Sequence, residues 1–583
     1  MNILGYASLN HDPGVALLRD GRTIAAIESE KITRAKHEVN LFPEAALETV
    51  LRWGKLTFDD IDAIAVNYDA GPLANGFYLP YLFKVLRSGR MDLSGVANCL
   101  AIAGVHHPRM FARLTEGPLP NVVAVRHHRA HLAGTFLASP WEDAAVAIID
   151  AAGEIECSSL WDCEGRSVRK LHSMDLPSDS LGSVYMLATR HLGFKMLGDE
   201  YKVMGLAPYG SPNAAFRGFF EDLIKLEPDG RYRVDSRLLG TVAGDGFRFP
   251  ARTQARLGPP RTPGEPFTDS HADFAFELQR RLESAVLHMT RYLRRVTGRR
   301  RLCLGGGVAL NCVANGAVAR DSGFDEVFVP PAPHDAGTAL GAALHHHFYT
   351  LEQARPEPMS TPYLGAAYGE DEIARDLARA GQVFDRLSDP SAAAASALAA
   401  GLVVGWFQGG TEFGPRALGN RSILADARRP EMKARVNELV KEREGFRPFA
   451  PAILESRAPE WFETLVRSPW MLFVDRVRAE RREQIPAVVH VDGTARPQTV
   501  TAADNPAFHA LISAFEALTG VPVVLNTSFN VAGEPIVNTP NEALRCFQGS
   551  GLDALFIGPF LLRKANVRWA PPATMRQTIE VAA

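Results

Sequence analysis

A short apolar pattern occurs twice in this chain and constrains its fold more than any other feature. Residues 3–9 (ILGYASL) and 14–18 (GVALL) flank a polar turn, and Asp20-Gly21 then leads into TIAAIESE, which together read as a three-strand meander with a hairpin. Residues 144–150 (AAVAIID), 155–161 (IECSSLW) and 167–171 (SVRKL) repeat the pattern, with AAGE as the first turn and Glu164-Gly165 as the second. Such self-similarity predicts two copies of one strand-rich unit. A chain of 583 residues also exceeds a single core, so several cooperating units are expected, with substrates between domains.

The remaining pattern is α/β. Between Asp269 and Thr297 the apolar positions fall at helical spacing, and RLCLGGGVALNCVANGAVA follows as strand, glycine loop and helix. The Pro-rich stretch from Pro250 to Pro266 reads as a surface excursion without an element of its own. Three prolines in residues 351–369 place the main domain boundary there. Beyond it, strand-like VVGWF, AILE and VPVVLN alternate with loops dense in Arg, Asn, Ser and Gly, which predicts a mixed α/β domain whose loops bind an anion.

Composition excludes several classes. Hydrophobic residues at 46% and charged residues at 22% suit a globular protein, and a net charge of −3 gives no electrostatic case for nucleic acid or a membrane surface. The cysteines at 99, 157, 163, 303, 312 and 546 contain no C-x-x-C pair and read as reduced core residues. The start, MNILGYASLNHDPG, lacks the basic and apolar regions of a signal peptide, and Ala392–Phe407, broken at Gly401, reads as helix, turn and strand, not as a membrane span. A cytoplasmic location is expected.

Several residues are placed for chemistry. In VRHHRAHLAG, His127 and His131 stand four apart and share one helical face, so both imidazoles can bind one metal. Asp150 ends a predicted strand and Asp335 lies at a strand-to-helix turn, where carboxylates project into clefts. This ligand set suits iron, manganese or zinc. The Gly305-Gly306-Gly307 loop, with Asn311 and a helix behind it, leaves N–H groups open for phosphate, and Asp150-Ala-Ala-Gly153-Glu154 forms a second such loop. His11, before Asp12, reads either as a base for an acceptor hydroxyl or as a surface turn residue. The segment 197–205 (LGDEYKVMG) reads as a substrate-facing loop or as a solvated ion-pair face. Farther on, Arg416 within FGPRALG, then Arg421, Lys441, Arg447 and Arg496, with Asn526 and Ser528 after a strand, would make a phosphate pocket if they converge.

Taken together, NHDPG, VRHHRAHLAG, IIDAAGE, LGDEYKVMGLAPYG, LGGGVALN, FGPRALGNRSILAD, RPFAPAIL, VDGTARPQTV and LNTSFN span nearly the whole chain, and the chain resembles the O-carbamoyltransferases of nodulation-factor and antibiotic biosynthesis. The resemblance implies an actin-like ATPase region (a duplicated ribonuclease-H-like fold) over residues 1–355, with subdomains 1–140 and 141–355, followed by a YrdC-like mixed α/β domain over 365–583. It implies that carbamoyl phosphate and ATP, with Mg2+, give carbamoyl adenylate, whose carbamoyl group passes to a hydroxyl of a small molecule: a macrolide, ansamycin, aminoglycoside or alkaloid. Carried over by motif, Arg416, Lys441, Arg447, Arg496, Asn526 and Ser528 bind carbamoyl phosphate and the adenylate, the first four catalytically. His127, His131, Asp150 and Asp335 hold a divalent metal, iron in the family. Asp12, Lys36, Gly153, Glu154, Gly305, Gly306, Gly307 and Asn311 bind nucleotide, and His11 is the transfer base. A homodimer is compatible with the family. Two other readings stay open on the sequence: a tRNA threonylcarbamoyl-modification enzyme, which should add a broad basic surface, and a nucleotide-gated scaffold without chemistry.

Overall fold

The computed structural model describes residues 1–7, 12–37, 42–69, 111, 114–115, 117–175, 179–239, 248–441, 443–464 and 467–577. The chain forms two compact units, the first from Met1–Ser29 and His37–Met359, the second from Glu30–Lys36 and Ser360–Ala583.

The first unit is built on two five-stranded sheets. One comprises β1 (Asn2–Ala7), β2 (Gly14–Arg19), β3 (Arg22–Glu28), β4 (Ala63–Val66) and β5 (Asn121–Ala124), in the order β3-β2-β1-β4-β5. After helix α1 (His127–Phe136), the second comprises β6 (Asp143–Ile149), β7 (Glu156–Glu164), β8 (Ser167–Asp175), β9 (Arg301–Gly305) and β10 (Glu326–Phe328), in the order β8-β7-β6-β9-β10. Strand order and strand sense agree between the two: the meander is antiparallel, and the fourth and fifth strands add in parallel. The fold is the duplicated ribonuclease-H-like topology of the actin-like ATPase class. The repeated meander in the sequence is its antiparallel half.

Physical pattern explains each piece. Strand β6 (DAAVAII) is buried on both faces after its first residue, as a central strand covered on two sides must be. Helix α2 (Asp269–Thr297) carries the long apolar stripe, starts at Thr268 with a capping box and stops at Gly298 in the left-handed region. Helix α3 (Cys312–Asp321) follows the glycine loop, and α4 (Gly337–His345) packs on α1 and β1. The Pro-rich stretch differs from expectation: residues Ala251–Leu257 form a helix. Pro250 stands at its N-cap, where its ring fits a helix start, and Gly258 at φ 87° ends it. Residues Glu200–Leu206 are helical as well, with Lys202 3.2 Å from Asp199, so the LGDEYKVMG segment includes a helical, ion-paired stretch.

The second unit holds β11 (Asp385–Leu387), α5 (Pro390–Ala399), β12 (Val404–Phe407), β13 (Arg421–Asp426), β14 (Ala450–Leu454), β15 (Gln498–Val500), α6 (Pro506–Thr519), β16 (Val523–Ser528), α7 (Pro540–Gly549), β17 (Ala554–Ile557), β18 (Phe560–Arg563) and β19 (Arg576–Gln577). Its sheet has nine strands in the order β15-β14-β16-β13-β12-β17-β18-β11-β19 and mixes parallel with antiparallel pairs. Strand periodicity of two feeds a core on each face: Ile423, Ala425, Val523 and Leu525 join one, and Leu424 and Val524 join the other with α5 and α6. Among the described residues no helix is long and apolar enough to cross a membrane.

Candidate functional site

Secondary structure delivers four ligating side chains to one point in the first unit. His127 opens α1 and His131 lies one turn on, so both imidazoles leave the same face. Asp150 is the first residue past β6, at the carboxyl end of a central parallel pair, and Asp335 precedes α4. Helices α1 and α4 approach closely enough that a Cβ on Gly341 would lie 2.0 Å from the carbonyl oxygen of Ala130. The approach sets Asp335 against the histidines.

The four ligand atoms all lie within 4.8 Å of one another, and their residues are 0 to 8% exposed. His127 Nε2 is 3.1 Å from Asp150 Oδ2 and 3.5 Å from Asp335 Oδ1, and His131 Nε2 is 3.2 and 3.6 Å from the same oxygens. The two Nε2 atoms are 3.1 Å apart. Ligands about 2.1 Å from one cation stand roughly 3.0 to 3.4 Å apart, so this spacing fits a metal centre. Charge balance agrees. Burial disfavours protonation of His127, yet the Asp335 and Asp150 carboxylates outweigh it and hold its pKa well above the usual imidazole value. Asp335, against burial and the repulsion of Asp150, is held down to about 2 by the histidines. Two buried carboxylates thus demand a positive charge between them, which a divalent cation supplies.

Neighbouring groups fix this cluster. Asp150 Oδ1 accepts from the N–H of Ala151 at 2.8 Å and of Gly307 at 3.2 Å, which leaves Oδ2 for the histidines. The Tyr68 ring lies 4.7 Å from that of His127. His128 Nδ1 and Trp161 Nε1 share Ser159 Oγ at 2.7 and 2.8 Å, anchoring α1 to β7. Ala151, His128 and Gly307 fall within motifs read from the sequence, whereas Tyr68, Ser159 and Trp161 carry none and become visible only when the strands are folded.

The residues expected at the nucleotide are more heavily engaged than the sequence suggests. Two N–H groups of the triple-glycine loop are spent: Gly306 donates to Pro333 O at 2.9 Å and Gly307 to Asp150, so they do not stand open to phosphate. Gly306, at φ 88°, is required because a Cβ would meet Ile149 O at 2.3 Å, and Gly305 packs on Thr135. Asn311 Oδ1 caps α3 through Ala314 N at 3.0 Å, and its amide pairs with Gln279 in both directions. Glu154 does not face an open loop; it accepts from the N–H of His127 at 2.8 and 3.1 Å and of Asp69 at 3.0 Å, where the α1 dipole favours a carboxylate. Gly153 N donates to Glu156 O at 2.8 Å. Asp12, at φ 53°, lies 3.1 Å from His37 Nδ1. Lys36 belongs to the second unit, not the first, and His11 lies outside the described residues.

In the second unit, Lys441 is buried, and its Nζ donates to Ser528 O and Oγ at 2.5 and 3.2 Å and to Asn530 O and Oδ1 at 2.9 and 2.6 Å. Burial, with Arg443 next in effect, pushes the Lys441 pKa well below its usual value. Asn526 and Ser528 share a face of β16, and Asn526 Nδ2 donates to Gln498 Oε1 at 2.9 Å while its buried Oδ1 has no partner among the described residues. Arg496 is half-buried and makes no hydrogen bond or ion pair with the described residues, Arg447 stands 3.5 Å from Glu444, and Arg416 is half-buried in its loop. Arg421 is not a pocket residue: wholly buried, it donates to the carbonyls of Gln408, Asn420, Ala366 and Gly409 and stacks 3.7 Å above Phe407.

A duplicated ribonuclease-H-like unit with a metal-competent histidine–aspartate centre, in one chain with a second α/β unit that holds a buried lysine and an arginine unpaired among the described residues, defines an enzyme of the actin-like ATPase fold class. Comparison with known proteins narrows this class. Residues 2–344 match the family described as Carbamoyltransferase N-terminus and residues 395–564 that described as Carbamoyltransferase C-terminus. Nodulation protein NolNO of Sinorhizobium fredii is 40% identical over 560 residues, covering 95% of this chain and 79% of that protein. An uncharacterised Synechocystis protein, sll1178, is 37% identical over 97% of each chain. The 3'-hydroxymethylcephem-O-carbamoyltransferase of Streptomyces clavuligerus is 29% identical over 95% of this chain and 98% of its own. The chain belongs to the carbamoyltransferase family and is a carbamoyltransferase.

Proposed function

We propose that this carbamoyltransferase uses ATP and carbamoyl phosphate to make carbamoyl adenylate in its second unit, of YrdC-like type, and passes the carbamoyl group to a hydroxyl of a small natural product at its first. The observation that carries the reading is a pair of unsatisfied polar groups in the second unit: among the described residues Arg496 makes no hydrogen bond or ion pair and the buried Asn526 Oδ1 has no partner, while the buried Lys441 is already held by Ser528 and Asn530. A buried acceptor without a partner is costly unless a ligand satisfies it; the carbamoyl NH2 of carbamoyl phosphate can donate to Asn526 Oδ1, and phosphate oxygens can accept from the Arg496 guanidinium.

The chemistry balances as follows. Water opens the acyl–phosphate bond to give carbamate and phosphate, a carbamate oxygen attacks the α-phosphorus of ATP, and pyrophosphate leaves. Arg416, Lys441, Arg447 and Arg496 neutralise the charge that develops on the phosphoryl oxygens. At the first unit, His127, His131, Asp150 and Asp335 would hold a divalent cation, iron by family precedent, which when bound supplies positive charge against nucleotide phosphate. Tyr68, Ser159 and Gly307 keep those ligands in place. His11 would take the proton of the acceptor hydroxyl as the carbon–oxygen bond forms and AMP departs. A small hydroxylated acceptor is supported by the relative named for 3'-hydroxymethylcephem.

Carbamoyl-phosphate-dependent exchange of labelled pyrophosphate into ATP tests the first half, and mass spectrometry of hydroxylated natural products incubated with enzyme, ATP and carbamoyl phosphate tests the second. Arg496→Ala is expected to reduce exchange by roughly 100-fold. Absence of exchange by the wild-type protein across iron, manganese, zinc and magnesium would overturn the adenylate route.

A further inference from the structure

Two cations from the amino-terminal part of the chain are built into the second unit. The short helix Glu30–Thr33 and the residues after it cluster with residues 360 onward, although the chain on both sides of them belongs to the first unit. Lys31 is 1% exposed, and its Nζ donates to the carbonyls of Glu412 and Gly414, each at 2.7 Å. Arg34, three residues on, donates to the carbonyls of Ile536 at 2.6 Å and Pro535 at 2.7 Å and lies 3.3 Å from Glu542.

The loop that Lys31 grips is the one that carries Arg416. From its other side, Glu412 Oε1 accepts the N–H groups of Leu418, Asn420 and Arg421 at 2.8, 2.9 and 3.1 Å. Residues 412 to 421 therefore curl around one carboxylate, while an ammonium fixes the carbonyls just before Pro415. Arg416 lies between the two anchored points, Gly414 and Leu418. A buried ammonium is unfavourable unless dipoles surround it, so Lys31 holds these carbonyls firmly once they are aligned.

We propose that Lys31 is a positioning residue for Arg416 in carbamoyl donor activation, so that the second unit's anion site is completed by a segment encoded in the first 40 residues of the chain. The inference rests on the reading that the second unit activates the donor. Loss of the ammonium frees two carbonyls and lets the Arg416 backbone shift, and a displacement on the order of 1 Å at a phosphate-clamping arginine costs roughly 100-fold in rate. Arg34 anchors a different turn, before α7, and serves as the internal control.

The test uses the full chain and follows the pyrophosphate exchange with carbamoyl phosphate and ATP varied separately. Lys31→Met should lower kcat/KM for carbamoyl phosphate by about 100-fold while the KM for ATP stays within about threefold. Lys31→Arg, which keeps the cation, should recover at least about a tenth of the wild-type value, and Arg34→Met should lower the melting temperature without changing the carbamoyl phosphate KM. Equal thermal losses in Lys31→Met and Arg34→Met with unchanged exchange constants would overturn the proposal and leave Lys31 a structural staple. If Lys31→Met does not fold, Lys31→Arg decides: a KM change for carbamoyl phosphate larger than for ATP supports positioning, and equal changes overturn it. No exchange in the wild-type enzyme would overturn the donor-activation reading itself, a result distinct from exchange that is insensitive to residue 31.

Discussion

Asp335 shows how much one side chain can decide here. Its Oδ1 stands 3.5 and 3.6 Å from the two imidazole Nε2 atoms, and it is the ligand brought by α4 and not by the central sheet. Asp335→Asn preserves the volume but replaces an anionic ligand with a neutral amide, so the expected result is at least about tenfold weaker metal binding, with little change in the fold. Metal content after dialysis against a graded chelator series measures it; wild-type retention would remove Asp335 from the ligand set. The histidine pair and both aspartates can be picked out in the sequence because each sits at a signal that survives in one dimension: a four-residue spacing, a strand end, a strand-to-helix turn. Lys31 has no such signal. Its partners lie about 380 residues away, and EKITRAK reads locally as a charged surface. The hydrogen bonds of Glu154 are hidden for a related reason, since its partners are the backbone N–H groups of His127 and Asp69, and backbone partners leave no mark on sequence.

At the scale of elements, the histidine–aspartate cluster depends on how closely α1 and α4 cross. Gly134 and Gly341 face each other there, and a Cβ on Gly341 would stand 2.0 Å from Ala130 O, a backbone atom that cannot swing away. Gly341→Ala should therefore push the helices apart, destabilise the first unit by about 2 kcal/mol and weaken metal binding in parallel, because His127 and His131 ride on one helix and Asp335 precedes the other. Gly218→Ala, in the helix Ala214–Leu223 with nothing within 4 Å of the added Cβ, should be neutral or stabilising by about 0.5 kcal/mol. Paired thermal melts and metal titrations check both; an unaltered metal affinity in Gly341→Ala would mean the helices need not touch for the site to form. Elements of this kind are legible in proportion to their length. The helix Asp269–Thr297 shows its stripe over many turns, whereas Ala251–Leu257 is too short to show a period and is masked by the prolines around it.

For the whole molecule, the duplication was readable because antiparallel meanders are local, while the parallel fourth and fifth strands of each sheet arrive from far along the chain and declare themselves only in the folded topology. A global consequence of this compact first unit is acid sensitivity away from the histidine–aspartate cluster. His191 closes the helix Leu181–His191 among Phe249 and Phe274, and burial, with a smaller effect of His271, pushes its pKa down to about 4. Burial, aided by Arg129 and His346, brings His345 down to about 4 as well. Both imidazoles are neutral in the fold and take up protons near 6.5 once unfolded, so the stability they secure is complete above pH 6.5 and is lost as pH falls toward 4. Each full pH unit in that window removes up to about 1.4 kcal/mol per histidine, less for His345, which is partly exposed. Melting temperatures measured from pH 7.5 to 4.5 should accordingly fall more shallowly in His191→Phe, which keeps a ring against Phe249 and Phe274 but cannot titrate, than in the wild-type chain. An identical slope in the two proteins would show that His191 already carries its proton in the fold, and that acid unfolding is driven from elsewhere.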